Sequence, residues 1–208
     1  TTKNYYAAGH EINPATNTST IKYWKNGIAT NLTDGTKNAY ASNIAVTNNE
    51  VLVVGSEHNG SHLVAKLWRN GVATTISNTA YHAVPDRVFV SGTDVYVTFS
   101  EKNASDIYVT KLWKNGVITN ISNGIIDAQT GGLYVNGNDV YVAFSEFVAS
   151  HGTYRSKLWK NGTVTDLTGG LYNAITAGIT VIGSDVYVAL MEKVEGSSYY
   201  KLTQWKNG

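Results

Sequence analysis

Cysteine is absent from this 208-residue chain, and proline occurs only twice. Without cysteine there can be no disulfide, no thiolate metal site and no cysteine nucleophile. Charged residues make up only 15% of the chain, and the 16 basic and 15 acidic residues leave a formal net charge of +1. No block of like charge occurs, so the sequence lacks the basic footprint of a protein that binds nucleic acid or anionic lipid. No apolar run approaches the roughly 18 residues that a membrane-spanning helix needs.

The scarcity of charge also bears on where the protein works. Its polar surface must come from Asn, Thr, Ser, Gly and Tyr, a composition that suits exported and cell-surface proteins. The first residues, TTKNYYAAGHE, show no pattern of a signal peptide. From composition we expect an extracellular or cell-envelope location.

What the sequence does contain is an internal repeat of about 45 residues. Each copy carries one tryptophan, and the separations between successive tryptophans are 44, 45, 46 and 46 residues. The tryptophan phrases read YWKNG, LWRNG, LWKNG, LWKNG and QWKNG, and upstream of them lie YYAAGHE, VLVVGSE, VYVTFSE, VYVAFSE and VYVALME. The five tryptophans are Trp24, Trp68, Trp113, Trp159 and Trp205.

The residues of the repeat favour strands over helices. Val, Tyr, Thr and Ile dominate, and short continuous apolar runs such as residues 95–99 are typical of strands buried on both faces. Gly and Asn recur about every ten residues and leave no room for a helix. Asn-Gly follows every tryptophan, at 26–27, 70–71, 115–116, 161–162 and 207–208, and predicts a tight type I′ hairpin. Each repeat therefore predicts four antiparallel strands in a meander.

The predicted fold is an all-β β-propeller, a single domain over residues 1–208 with about five blades. The units span approximately 1–38, 39–82, 83–127, 128–173 and 174–208. Counting strands gives four inner, five second, five third and four outer, 18 in all, whereas a complete five-bladed ring has 20. The terminal blades are thus incomplete. Three-stranded end blades, a fragment of a longer propeller, and self-association through the exposed edges all remain open.

The phrases DVYVxFSE, AKLWKNG and GVxTxL resemble the β-propeller repeats of bacterial exported and cell-envelope proteins, over essentially the whole chain. WD40 repeats differ, because no Gly-His or Trp-Asp dipeptide marks the blades. The blade number is shared with tachylectin-like lectins and five-bladed glycosidases, but the motifs of neither group occur. The resemblance implies a fold and little more.

Loop variation predicts where a ligand would bind. The hairpins at Asn-Gly and Gly-x-Asp are nearly invariant, while the loops at the opposite ends of the strands differ from blade to blade. Variable loops on a fixed scaffold are where binding usually resides. The predicted ligand-binding residues are Asn38, Tyr40, Tyr81, His82, Asp127, Gln129, Tyr172 and Asn173, together with Glu57, Glu101 and Glu146.

Those three glutamates belong to a series that ends every second strand, with Glu11 and Glu192 as the other members. They could form a ring of carboxylates at a channel mouth, or serve structure by accepting backbone N–H groups or pairing across blades. Strict repetition favours the structural role. A lysine stands two residues before four of the tryptophans, at Lys22, Lys66, Lys111 and Lys157. These lysines could pair with the glutamates, or could lay their aliphatic chains along apolar surface with the ammonium group in water. For the tryptophans, packing between blades is favoured over sugar stacking.

The chemistry of the inner strands limits catalysis. Asp86 is their one acid, with Arg87 as a local ion-pair partner, and Asp127 could join it from a loop. A glycosidase needs two such carboxylates. No Gly-x-Ser-x-Gly elbow, phosphate loop or dinucleotide fingerprint occurs. Gly60, between His58 and His62, argues against helical metal-ligand geometry, so we expect no metal and no cofactor.

From these observations, the leading hypothesis is a non-catalytic binding or scaffold module, lectin-like, that recognises a glycan or a protein on its variable loops. The sequence leans against an enzyme. The competing hypothesis is a carbohydrate-active enzyme that uses Asp86, Asp127 and one of the recurring glutamates. A third is a purely structural or engineered repeat protein. No nucleic-acid partner is expected.

Overall fold

The computed structural model describes residues 3–47 and 50–207. Its strands form five antiparallel sheets, in which sequence neighbours are also sheet neighbours. Among these residues there are 18 strands, as the repeat predicts. No helix of the described part is long and apolar enough to cross a membrane.

Three sheets have four strands each. Blade 2 contains β4 (Ala39–Val46), β5 (Val51–His58), β6 (Leu63–Arg69) and β7 (Val72–Thr75). Blade 3 contains β8 (Ala83–Ser91), β9 (Asp94–Lys102), β10 (Tyr108–Lys114) and β11 (Val117–Asn120). Blade 4 contains β12 (Ala128–Asn136), β13 (Asp139–Val148), β14 (Thr153–Lys160) and β15 (Thr163–Asp166).

The terminal sheets have three strands each, so the prediction of incomplete end blades is confirmed. Blade 1 contains β1 (Tyr6–Asn13), β2 (Thr18–Lys25) and β3 (Ile28–Asn31). Blade 5 contains β16 (Ala174–Ile182), β17 (Asp185–Lys193) and β18 (Tyr200–Lys206).

The blades pack on one another in chain order. The first strands of successive blades are in contact, β4 with β8, β8 with β12 and β12 with β16, as strands around a common axis must be. The all-β, five-bladed propeller predicted from the repeat is therefore the fold of this chain.

The core lies between blades rather than inside any one sheet. Tyr96 and Leu112 of blade 3 share one apolar cluster with Val142, Phe144 and Trp159 of blade 4. Burial on both faces explains why the second strands read as continuous apolar runs. Trp68 and Trp159 are 1% and 9% exposed, which confirms that these tryptophans pack between blades.

The Asn-Gly hairpins have the backbone that the sequence predicts. At the turn after Trp113, Asn115 and Gly116 have φ angles of 48° and 99°, both in the left-handed region that a type I′ turn requires. The Asn115 side chain also accepts a hydrogen bond from the backbone N–H of Val95, at 2.9 Å, which ties the turn to the start of β9. The last predicted turn includes Gly208, which lies outside the described residues.

Candidate functional site

Each of the four inner strands carries a β-bulge at the same place. The pairing register shifts between Ala41 and Asn43, Pro85 and Arg87, Thr130 and Gly132, and Thr176 and Gly178. A bulge leaves one residue unpaired and re-aims its side chain, which is why bulges often lie next to functional sites. The four unpaired residues are Ser42, Asp86, Gly131 and Ala177, of which Asp86 is the one with a charge.

Between blades 4 and 5 the bulge position is tightly packed. A Cβ added to Gly131 would lie 2.6 Å from the Cβ of Thr176 and 2.7 Å from its carbonyl oxygen. Only glycine fits there without movement of the neighbouring blade.

Between blades 3 and 4 the same region is open. A cavity of about 340 Å³ is found there. It is lined by Val84, Pro85, Asp86, Ser100, Tyr108, Gln129 and Thr130. The one acid of the inner strands therefore lies in the wall of a cavity, at a position that is filled between the next two blades.

The two oxygens of Asp86 have different surroundings. Oδ1 accepts a hydrogen bond from the Arg87 guanidinium at 2.8 Å, which confirms the local ion pair. Oδ2 is buried and has no hydrogen-bond partner among the described residues. Burial raises the pKa of Asp86, and the positive charge of Arg87 only partly opposes this. A carboxyl group with a raised pKa keeps its proton to higher pH and can act as a general acid.

Tyr108 forms another wall of the cavity and is held by three groups. The ring of His82 contacts its ring edge-on, with centroids 6.0 Å apart and planes at 79°. Lys102 Nζ lies 5.2 Å from the ring centroid, and Asp127 Oδ1 accepts the backbone N–H of Tyr108 at 2.8 Å. Burial is the main cause that lowers the pKa of His82, and the positive charge of Lys102 is the next. Both favour the neutral imidazole.

Sequence reasoning missed Tyr108. A signal was present: the residue five positions before the tryptophan is Ser19, Leu63, Tyr108, Tyr154 or Tyr200, so one fixed register position varies strongly in character. Loop variation predicts binding residues in the loops, whereas this position is the first or second residue of the strand that carries the tryptophan.

The structure gives several predicted ligand residues a structural contact. Asn38 and Asn173 accept backbone N–H groups from Ser19 and Tyr154, at 2.9 and 2.7 Å, in the way that Asp127 accepts that of Tyr108. Each contact fastens the loop before an inner strand to the preceding blade. Their presence in these loops thus has a physical explanation that needs no ligand.

The predicted tyrosines lie apart from the cavity. Tyr40 packs edge-on against His10, with centroids 5.2 Å apart, and a hydrogen bond with Glu195 raises the pKa of Tyr172. Tyr81 is half-buried in the turn before β8. Of the predicted ligand residues, Gln129 is the one that lines the cavity with Asp86.

The recurring glutamates lie in ion pairs or hydrogen bonds with the neighbouring strand of their own sheet, and Glu101 also bonds to the segment that precedes its blade. Glu101 pairs with Lys111, accepts the backbone N–H of Asn78 at 2.7 Å, and has a side chain only 3% exposed. Burial works against the charge of Glu146, yet hydrogen bonds from Lys157 and Arg155 hold its pKa below its usual range. The remaining pairs are Glu11 with Lys22, Glu57 with Lys66, and Glu192 with Thr203. The lysines are therefore the partners of the glutamates, one of the two roles that the sequence allowed.

Comparisons with known proteins come from structure alone, since no protein-family model and no curated protein matches the chain. It is similar to a thermostable family-43 glycoside hydrolase, at 13% identity and a TM-score of 0.50, over 98% of this chain and 85% of that one. An exo-1,5-α-L-arabinanase from a bovine ruminal metagenomic library has 11% identity and a TM-score of 0.48, over 98% and 89%. An endo-arabinase from Bacteroides thetaiotaomicron VPI-5482 has 8% identity and a TM-score of 0.47, over 98% and 94%.

At this identity the first similarity shows the propeller fold, and it corrects the leading functional hypothesis. The preferred interpretation, a non-catalytic, lectin-like binding or scaffold module that is not an enzyme, was wrong, because the similar structure with a TM-score of 0.50 is named as a glycoside hydrolase. The sequence shows one acid in the inner strands, but it does not show that a bulge leaves one oxygen of that carboxyl group buried and unpaired in the wall of a cavity.

Proposed function

We propose that this chain is a carbohydrate-active enzyme that hydrolyses glycosidic bonds in the cavity between blades 3 and 4. The observation that carries the proposal is Asp86, a carboxyl group with a raised pKa and an unpaired buried oxygen in the cavity wall. A catalytic acid needs an environment unlike that of other carboxylates in the protein. Asp86 has one, since Asp94, Asp139 and Asp185 on the turns all have lowered pKa values.

In this mechanism Asp86 is the proton donor. It gives its proton to the glycosidic oxygen while the bond from that oxygen to the anomeric carbon breaks. A water molecule adds to the anomeric carbon and loses its proton to a second carboxylate. We assign that second role to Asp127, which precedes the cavity residue Gln129 by two positions and commits Oδ1 to the backbone of Tyr108.

The recurring glutamates have no part in this mechanism. Their carboxylates are already paired with lysine, arginine or threonine side chains. Unlike Asp86, whose ion pair with Arg87 leaves Oδ2 unpaired, none of these glutamates lines the cavity. The enzyme hypothesis is thereby narrowed to Asp86 and Asp127.

The proposal extends to the setting of the protein. A bacterial exported or cell-envelope location fits the low charge content of the chain, and it would give the enzyme access to polysaccharides outside the cell. Arabinan is the first substrate to test, because two of the similar structures are named as an arabinanase and an arabinase.

The first prediction is that Asp86→Asn lowers kcat/KM on arabinan and other soluble polysaccharides by about 10²- to 10⁴-fold, the usual contribution of a general acid. The loss should be much smaller on p-nitrophenyl glycosides, because nitrophenolate leaves without needing a proton. Reducing-sugar release and nitrophenol absorbance measure the two reactions.

Asp127→Asn should slow both kinds of substrate. Asp139→Asn makes the same chemical change at a turn and should leave both rates unchanged. The proposal fails if the wild-type chain hydrolyses no glycoside in the panel, or if Asp86→Asn retains wild-type activity on polysaccharides.

A further inference from the structure

We infer that Tyr108 is the sugar platform of this cavity, and that the cavity takes an uncharged sugar rather than a uronic acid. This inference rests on the proposed function and specifies its substrate class. It has two parts, an aromatic surface that is fixed before the ligand arrives and a lining without positive charge.

The first part is the immobilisation of the Tyr108 ring. His82 approaches from the loop before β8, and Lys102 from the end of β9, where Asp106 holds its ammonium group at 2.7 Å. Asp127, from the loop before β12, fixes the backbone of the same residue. A ring that His82 and Lys102 contact, on a residue whose backbone Asp127 fixes, loses little conformational entropy when a ligand binds, which favours affinity. The C–H face of a sugar ring stacks on such an aromatic surface.

Tyrosine recurs at this register in blades 4 and 5, but with other surroundings. Tyr154 packs against Phe147, with centroids 5.4 Å apart, and the hydroxyl of Tyr200 accepts a hydrogen bond from Asn173 at 3.0 Å. Tyr108 is the member of this series that lines the cavity of Asp86. Tyr154 therefore serves as a matched control.

The second part is the charge of the lining. Asp86 is the one charged side chain among the lining residues, and none of them is Lys, Arg or His. The nearby guanidinium of Arg87 is already bonded to Asp86. At a pH above the pKa of Asp86, where that group is ionised, a sugar carboxylate would face a second carboxylate, and no cation among the lining residues would neutralise it. Sugar hydroxyls, in contrast, can both donate to and accept from the Gln129 amide.

The test is isothermal titration calorimetry with xylohexaose, arabinohexaose, mannohexaose and hexagalacturonate. We expect at least one neutral oligosaccharide to bind, and hexagalacturonate to bind at least tenfold more weakly. Tyr108→Ala should weaken binding of the neutral ligand at least tenfold, while Tyr108→Phe, which keeps the ring, and Tyr154→Ala should stay within about twofold. Above the pKa of Asp86, the Asp86→Asn variant should still bind the neutral ligand, and the difference in affinity between that ligand and hexagalacturonate should become smaller.

Binding that ignores Tyr108→Ala, hexagalacturonate as the best ligand, or no binding by any neutral oligosaccharide would overturn the inference. Failure of the proposed function has a different signature. In that case neutral ligands bind in a Tyr108-dependent way, but no product forms and Asp86→Asn changes nothing in the activity assay.

Discussion

At the residue scale, Asp86 is placed where a charge is costly. The bulge residues of the other inner strands, Ser42, Gly131 and Ala177, are small and uncharged. Gly131 must be glycine because Thr176 leaves no room for a Cβ. An unpaired buried oxygen costs about 1–3 kcal/mol of folding free energy. Residues that lower stability in this way are common in active sites, where the same surroundings tune a reactive group.

We therefore predict that Asp86→Asn stabilises the protein at neutral pH. The folded-state pKa of Asp86 is raised, so its ionisation lowers stability in full above that pKa, and this loss fades as the pH falls from the folded value to the unfolded value of about 3.9. The variant should gain about 1 kcal/mol at pH 7, or roughly 2–4 °C in Tm for a chain of this size. The gain should shrink toward acidic pH.

Differential scanning calorimetry across pH measures this effect. Asp139→Asn is the control of opposite sign, because it removes a carboxylate that Lys160 and Asn161 stabilise. If Asp86→Asn does not raise Tm at pH 7, or if the rise in Tm grows on acidification, the environment assigned to Asp86 is wrong.

At the scale of the strand, the equivalent bulges of β8 and β12 have different surroundings. In β12 the bulge residue is glycine and the next blade closes over it, whereas in β8 it is aspartate beside an open cavity. Pro85, just before Asp86, has no N–H to donate across blades, while the equivalent Thr130 and Thr176 donate theirs to Ser100 and Ser145. The inner strand of blade 3 is thus the one whose sequence departs most from the repeat, and the cavity lies along it.

A pair of glycine substitutions tests the closed interface. Gly131→Ala should destabilise the protein by about 1–3 kcal/mol, the usual cost of overpacking, because its Cβ would overlap Thr176. Gly178→Ala, where an added Cβ meets no atom within 4 Å, should change stability by less than about 0.5 kcal/mol. Urea unfolding gives both values. Equal effects at the two positions would show that blades 4 and 5 are not packed as described.

At the scale of the whole molecule, a repeated polar network fastens the turns of blades 3, 4 and 5. The aspartate that opens the second strand of each blade pairs with the last lysine of the third strand, at 2.8, 2.7 and 2.7 Å. The same aspartate accepts a hydrogen bond from the turn asparagine, at 2.7 Å in each blade. The lysine bonds are the main cause of the lowered pKa values of Asp94, Asp139 and Asp185.

This network predicts how the fold responds to acid. A carboxylate with a lowered pKa contributes stability that is fully present above its unfolded value, near pH 3.9, and is lost as the pH falls through the folded value. Replacement of all three aspartates by asparagine should therefore lower Tm at pH 7 and flatten the decline of Tm below about pH 4. Parallel Tm curves for the wild-type and triple-variant chains would contradict this role.

The sequence alone determined the strands, their hairpins and their grouping into five blades. These features depend on residues that are near neighbours in the chain, such as Asn115 and Gly116 in a turn or the apolar run at 95–99. Local sequence patterns therefore predict them. It also identified Asp86 as the acid of the inner strands. Tertiary structure decided which acids were paired and where a cavity opened. Whether Glu101 meets Lys111 in an ion pair, and whether Tyr108 faces the same space as Asp86, depends on how strands and blades are spaced. Differences of a few ångströms between packed sheets close one interface over Gly131 and leave a cavity at the other, and no local pattern encodes them.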